Sequence, residues 1–429
     1  MRKSARRVRA VKRHASLLVP FAHKSYRRLW PADVLVSWAT EMETLILAWY
    51  VLVETGSVVM LTLFGAVQFV GTLAAPLLGV VGDRIGHRNL MCGIRAFFTV
   101  VSLSLLALAA MGLLTPIAAI VAAFLSGLVR TSDLAARGAL VARIVPPDQL
   151  TNAMGLSRTT SDSARVVGAL TGASLFAAFG IAPAYALVVA FHFTGLLLTL
   201  SVPEPGQRNA ADAAQPGGPP RSSPWADLRE GLVFVWRTPA LLAGMCIACL
   251  VNFNAFPLSN GLLPYVAKEH YGLDQTGLGW LVAGFAGGAL IGSIVLSLLA
   301  RAIWPGRVMI QATVVWYLLL LVFAQTTSPI AGFAVLMITG FVQSFSMISL
   351  SIMLLRIAGE RFHGRVLGVR MLAIYSLPFG LMVAGWLIGR LGFQGMASLY
   401  AVSGLLATLA IGWRWRAVLL RPDGAGNTP

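Results

Sequence analysis

The chain has 429 residues, of which 57% are hydrophobic and only 11% charged, against about 25% charged in soluble domains. That much apolar surface excludes a water-soluble globular fold, because apolar patches of that extent do not persist in water. The formal charge of +17 does not point to nucleic acid: ten of the 33 Lys and Arg precede Leu29, in a tail suited to anionic lipid.

That tail, residues 1–29, carries a long basic region and lacks a small-residue cleavage site, so it reads as a cytoplasmic extension and not a signal peptide. Apolar runs follow at 30–53, 58–81, 90–113, 117–138, 154–179 and 182–202, then at 240–262, 276–299, 308–325, 330–355, 366–389 and 394–413. Most reach the roughly 20 residues that cross 30 Å of hydrocarbon. The runs are continuous and not alternating, so the backbone is satisfied by helices and not by a barrel. The expectation is an all-α membrane protein with twelve transmembrane helices in two six-helix lobes, 30–202 and 240–413. Residues 203–239 join the lobes, and a basic tail, 414–429, ends the chain.

The joining segment opens with Pro203, Pro205, Gly217, Gly218, Pro219, Pro220 and Pro224, a flexible linker. Its second part places Leu228, Leu232, Val235 and Trp236 on one helical face, as in an interfacial helix. Counting alternate loops from a cytoplasmic N-terminus puts Arg84, Arg88, Arg143, Arg229, Arg237, Arg307, Arg365 and Arg414 inside. Only Lys268 and Arg390 fall outside, which predicts both termini in the cytoplasm. Cys92, Cys246 and Cys249 all lie in apolar runs; too few ligands accompany them for a zinc site, and packing is their expected role.

Between spans two and three the chain reads Gly79-Val80-Val81-Gly82-Asp83-Arg84-Ile85-Gly86-His87-Arg88. A carboxylate, two arginines and three glycines in one short loop favour charge-assisted contacts at a close helix approach. The loop resembles the GxxxDRxGRR signature of the major facilitator superfamily, with His87 where that signature usually carries Arg or Lys. Tyr26-Arg27-Arg28-Leu29-Trp30, Pro147-Asp148-Gln149-Leu150, Trp225-Ala226-Asp227-Leu228-Arg229-Glu230-Gly231, Gly277-Leu278-Gly279-Trp280 and Glu360-Arg361-Phe362-His363-Gly364-Arg365 are similar to its drug and siderophore exporters. The resemblance implies a two-lobed, alternating-access transporter. Gly79, Asp83, Arg84, Gly86, Arg88, Arg130, Gly364 and Arg365 would then form its cytoplasmic gating contacts.

Ionisable groups at membrane depth cost roughly 2.5–3.5 kcal/mol each, so they mark function. Span one carries Asp33, Glu41 and Glu43. Asp33 is near the cytoplasmic end, within reach of water. Glu41 and Glu43 lie deeper and point about 160° apart on a helix, so at most one faces a central cavity squarely. One of the two is the expected proton-coupling site; the alternative is that both pair with neighbouring helices. Asp162, another proton-coupling candidate, can share a face of span five with Arg158 and Arg165, either as a gate or anionic-cargo site or as a structural ion ladder. Gln68, Arg165, Asn252, Asn254 and Gln343 are the candidate cavity-lining groups, or else interhelical hydrogen-bond partners. His192 in span six is a packed histidine or a proton relay. Gly284, Gly287, Gly288 and Gly292, and Gly380 and Gly385 after Pro378, permit either tight packing or flexing.

These readings converge on a secondary active exporter, moving an amphipathic small molecule (drug, siderophore or metabolite) outward against protons. An importer or lipid flippase of the same fold, or a receptor that has lost transport, are the alternatives. No GxxxxGK[ST] loop, GxSxG elbow or His-rich cluster is present, so neither ATP hydrolysis nor enzyme chemistry is indicated and no cofactor is expected. Expected partners are the cargo, protons and membrane lipids around a monomer in a bacterial inner membrane; the excess of arginine over lysine fits a GC-rich bacterial source.

Overall fold

The computed structural model describes residues 19–69, 71, 81–82, 84–203, 224–299 and 304–419. Among them every regular element is helical. After a short turn, Val19–Ala22, come α1 (Lys24–Thr55), α2 (Val58–Val67), α3 (His87–Ala110), α4 (Pro116–Ile144), α5 (Pro147–Phe179) and α6 (Ile181–Leu200). Then follow α7 (Pro224–Arg237), α8 (Pro239–Leu250), α9 (Gln275–Leu299), α10 (Pro305–Gln325), α11 (Pro329–Ile374), α12 (Ser376–Arg414) and α13 (Arg416–Leu419). Nine helical stretches among the described residues are long and apolar enough to cross a membrane. α2 is a shorter apolar helix, and α5 carries Arg158, Asp162 and Arg165 along its length.

Local signals set these limits. Thr115 accepts from the amide of Ala118 and Pro116 opens α4, so one unpaired amide is capped and another is absent. Beyond α8 the chain runs on to His270 through wide turns at Val251–Ala255, Pro257–Gly261 and Val266–His270. Pro257 has no N–H to give the ordinary ladder, and the amide of Leu262 reaches the carbonyl of Pro257 at 2.9 Å. This stretch is therefore longer than the expected 240–262. α11 and α12 each contain one break, at Gly359 (φ 59°) and Gly392 (φ 69°), a backbone region that favours glycine.

The described chain packs as two compact units. The first takes in the described residues within 19–44, 71–168 and 178–203; the second takes in those within 45–69, 169–177 and 224–419. The first holds a core of Tyr26, Leu29, Val36, Met91, Ile94, Phe98, Leu140 and Val141. Its α1–α5 seam is fixed by Trp30 Nε1 donating to Thr160 Oγ1 at 3.0 Å and by His23 against Gln149 at 3.2 Å. The C-terminal end of α6 is met by two arginines: Arg28 donates to Ser201 O at 2.6 Å and Arg88 to Leu200 O. Cations there complement the helix dipole.

In the second unit, a Cβ at Gly288 would meet the Met337 carbonyl at 1.8 Å, and one at Gly292 the Phe341 carbonyl at 2.5 Å. α9 and α11 thus touch backbone to backbone through small residues. A Cβ at Gly380 would meet the Phe253 carbonyl at 1.8 Å and one at Gly385 would meet Thr62 Oγ1 at 2.4 Å, so α12 packs closely there also. Arginines stack on tryptophans at the helix ends, Arg307 over Trp304 at 4.4 Å and Arg390 over Trp386 at 4.2 Å, the pairing expected at a membrane–water interface.

Candidate functional site

The first unit holds its charges in two tiers. The tier nearer the start of α1 is closed. Arg95 of α3 is fully buried and donates to Asp33 of α1 and to Thr199 of α6. Its Nε lies 3.7 Å from Asp133 of α4. Arg137 of α4 donates to Ser37 at 3.4 Å and to Ser161 at 3.3 Å, which ties α4 to α1 and α5. Two arginines and two aspartates balance, so a buried network ties together α1, α3, α4, α5 and α6 without net charge. Asp33 does not reach water, as its position near the helix start had implied; it is 4% exposed.

The second tier lies at mid-helix. Glu41 is about 25 Å along α1 at 1.5 Å per residue, near its middle. Arg130 of α4 reaches its Oε1 at 3.4 Å, and Arg165 of α5 approaches Oε2 at 3.9 Å. The two guanidinium side chains are 37% and 36% exposed, and the Glu41 side chain 20%. An exposed guanidinium at that depth calls for polar surroundings, because hydrocarbon does not solvate it. Close packing of α1 on α5 positions the cluster: a Cβ at Gly168 would lie 2.9 Å from Glu41 Cβ and 3.1 Å from Trp38 O.

Two residues on, Glu43 points the other way. Its Oε2 accepts from Ser102 of α3 at 3.0 Å and lies 3.5 Å from His192 Nε2 of α6. His192 is 1% exposed and stacks at 5.5 Å on Phe98. Neither ring nitrogen of His192, nor the buried hydroxyl of Tyr185, has a hydrogen-bond partner among the described residues. Glu41 and Glu43 therefore serve separate sites, one half-open between two arginines and one sealed beside an imidazole.

The other candidates are dispersed. Asp162 pairs with Arg158 at 3.2 Å, while Arg165 turns to Glu41. Gln68 Nε2 donates to Phe64 O at 3.3 Å, and Asn252 Nδ2 to Ala248 O at 2.8 Å. Asn254 is buried, donating to Tyr400 O at 3.3 Å and accepting from Tyr317 Oη at 2.5 Å. Those bonds are interhelical ties in the second unit. Gln343 is half-buried on α11. Arg365 pairs with Glu230 of α7 at 3.0 Å, with Phe234 stacked on Phe362 at 4.3 Å beside it. Gly364 is exposed next to this contact, and Arg84 and Gly86 lie just before α3. Gly79 and Asp83 lie outside the described residues. Arg95, Ser102 and Thr199 were not singled out from the sequence. An arginine inside the apolar run 90–113 was the available signal for the first of them.

Comparison with known proteins agrees with this architecture. The family profile described as "Transmembrane secretion effector", of the major facilitator superfamily, matches residues 15–421. The enterobactin exporter EntS of Escherichia coli O1:K1 is 28% identical over 319 residues, 72% of this chain and 70% of that protein. Its counterpart in Shigella boydii serotype 18 matches to the same extent. A D-xylose–proton symporter superposes with a TM-score of 0.68 at 14% identity, covering 94% of this chain and 99% of that one. A POT family transporter superposes with a TM-score of 0.72 at 11% identity, covering 92% and 96%. The chain belongs to the transmembrane secretion effector family of the major facilitator superfamily, and it is a multi-pass membrane transporter, not an enzyme.

Proposed function

We propose that this transporter is a proton-coupled exporter of amphipathic small molecules, a drug, siderophore or related metabolite, working by alternating access. The observation that carries the reading is the division of labour on α1. Glu41 meets the half-exposed Arg130 and Arg165, as a cargo-facing group would. Glu43 is sealed against Ser102 and His192, as a proton-carrying group would be. Protonating Glu43 removes the charge that accepts from Ser102 and faces His192, and so changes how α1 is held to α3 and α6. A carboxyl whose charge state changes helix packing can link proton entry to a change of access. The exporters of Escherichia coli and Shigella boydii named above support the outward direction and the cargo class.

The same reading holds twelve spans in two six-helix lobes, divided at 203–239. It is supported by the breaks at Gly359 and Gly392, which interrupt helices of 46 and 39 residues, each longer than one crossing needs. Both termini face the cytoplasm of a bacterial inner membrane, on the distribution of Arg and Lys. The gating loop (Gly79, Asp83, Arg84, Gly86, Arg88) and the Arg365–Glu230 contact beside Gly364 act as cytoplasmic latches, and the transporter works as a monomer among lipids.

A deletion strain compared with its parent tests this. The expected result is greater susceptibility to amphipathic drugs, or retention of an amphipathic metabolite, restored by the wild-type gene but not by Glu43→Gln. Full restoration by Glu43→Gln would remove the proton role of that residue. Equal susceptibility and equal metabolite release in both strains would remove the exporter reading.

A further inference from the structure

We propose that the cargo is an amphipathic organic anion whose acidic group sits between Arg130 and Arg165, displacing Glu41. The proposal rests on the exporter reading above and names the class of molecule exported.

The charge count at mid-helix carries it. Arg130 and Arg165 share one carboxylate, Glu41. The other acids nearby are already engaged: Asp162 with Arg158 at 3.2 Å, Glu43 with Ser102 at 3.0 Å and beside His192, Asp33 and Asp133 with Arg95. One positive charge is left over at a depth where an unbalanced charge is costly. The geometry shows where it resides. Arg130 is 3.4 Å from Glu41 Oε1, within hydrogen-bond range, whereas Arg165 stands 3.9 Å from Oε2. Among the described residues the Arg165 guanidinium makes no hydrogen bond, and its side chain is 36% exposed.

A guanidinium presents a planar fork of donors that fits the two oxygens of a carboxylate, sulfonate or phosphate. Two such forks flanking one glutamate form a cleft whose resident anion is exchangeable. A cationic cargo would have to approach a net-positive site. The neighbouring aromatic, Trp38, is half-buried one helical turn before Glu41, with its ring 5.3 Å from that of Phe191, and this aromatic pair is the apolar surface for the rest of an amphipathic molecule. An anion loaded here also leaves an inside-negative cell down the membrane potential, about 2.3 kcal/mol per charge per 100 mV.

The test uses the full chain in proteoliposomes with three fluorescent probes: fluorescein as anion, ethidium as cation and an uncharged coumarin. The expected result is protein-dependent flux of fluorescein above that of ethidium. Arg165→Gln should lower the fluorescein flux roughly tenfold, the scale of one lost charge-assisted hydrogen bond, and Arg165→Lys should restore part of it. Glu41→Gln, which neutralises the internal competitor, should tighten fluorescein binding several-fold. Fluorescence polarisation of the detergent-solubilised protein reads that binding without any need for transport. Ethidium moving faster than fluorescein, or fluorescein flux and binding unchanged in Arg165→Gln, would overturn the anion assignment while leaving the exporter reading intact. Absence of protein-dependent flux for all three probes would overturn the reading on which the assignment rests, and the assignment with it.

Discussion

Arg95 has no solvent to fall back on. Its guanidinium is fully buried with Asp33, Asp133 and Thr199 around it, so deleting it would leave two buried carboxylates with Arg137 as their one remaining counter-charge. Breaking a buried pair from one side costs about 3–5 kcal/mol. Arg95→Leu should therefore lower the melting temperature of the detergent-solubilised protein sharply, while Arg28→Ala, at an exposed helix end, should change stability by under about 1 kcal/mol. Equal small effects from both would show that the buried network is not structural. The opposed directions of Glu41 and Glu43 were readable from the sequence, because two helical steps turn a side chain nearly to the far face. Which carboxylate would meet which partner was not readable. Ser102 and His192 lie about 60 and 150 residues further along the chain, and nothing local to α1 names them. Asp33 was misjudged for the same reason: its depth along the helix is visible in the sequence, but the arginine that covers it is not.

At the scale of the element, hydropathy marked the lipid-crossing part of each helix and missed its polar extensions. α1 begins at Lys24, although the apolar run begins at 30, because Lys24–Leu29 continues as helix, seated by Tyr26 in the first unit's core. Glycine spacing was legible as a packing signal but left packing and flexing equally open. The structure decides for packing at three of the four positions. Gly284, Gly288 and Gly292 abut Phe333, Met337 and Phe341 of α11, whereas a Cβ at Gly287 would meet nothing within 4 Å. Gly288→Leu should then abolish stable expression, since the Met337 carbonyl cannot move aside. Gly287→Ala should be neutral or gain up to about 1 kcal/mol from helix propensity. Comparing the two by fluorescence-detected size exclusion checks the assignment: a well-folded Gly288→Leu protein would refute it.

For the whole molecule, composition alone settled the class: 57% hydrophobic residues cannot be housed in water. The loop around Asp83 and the paired latch motif supplied the family, which the match over residues 15–421 confirms. The proposed cargo cleft was within reach of neither, because Glu41, Arg130 and Arg165 come from three helices far apart in the chain. The central claim is that α1 carries protons on its Glu43 face and cargo on its Glu41 face. Transient currents from proteoliposomes on a solid-supported membrane, triggered by a step to lower pH without any cargo, test it most directly. The wild-type chain should give a proton current that Glu43→Gln loses and Glu41→Gln retains; a full-size current in Glu43→Gln, or its loss only in Glu41→Gln, would contradict the account.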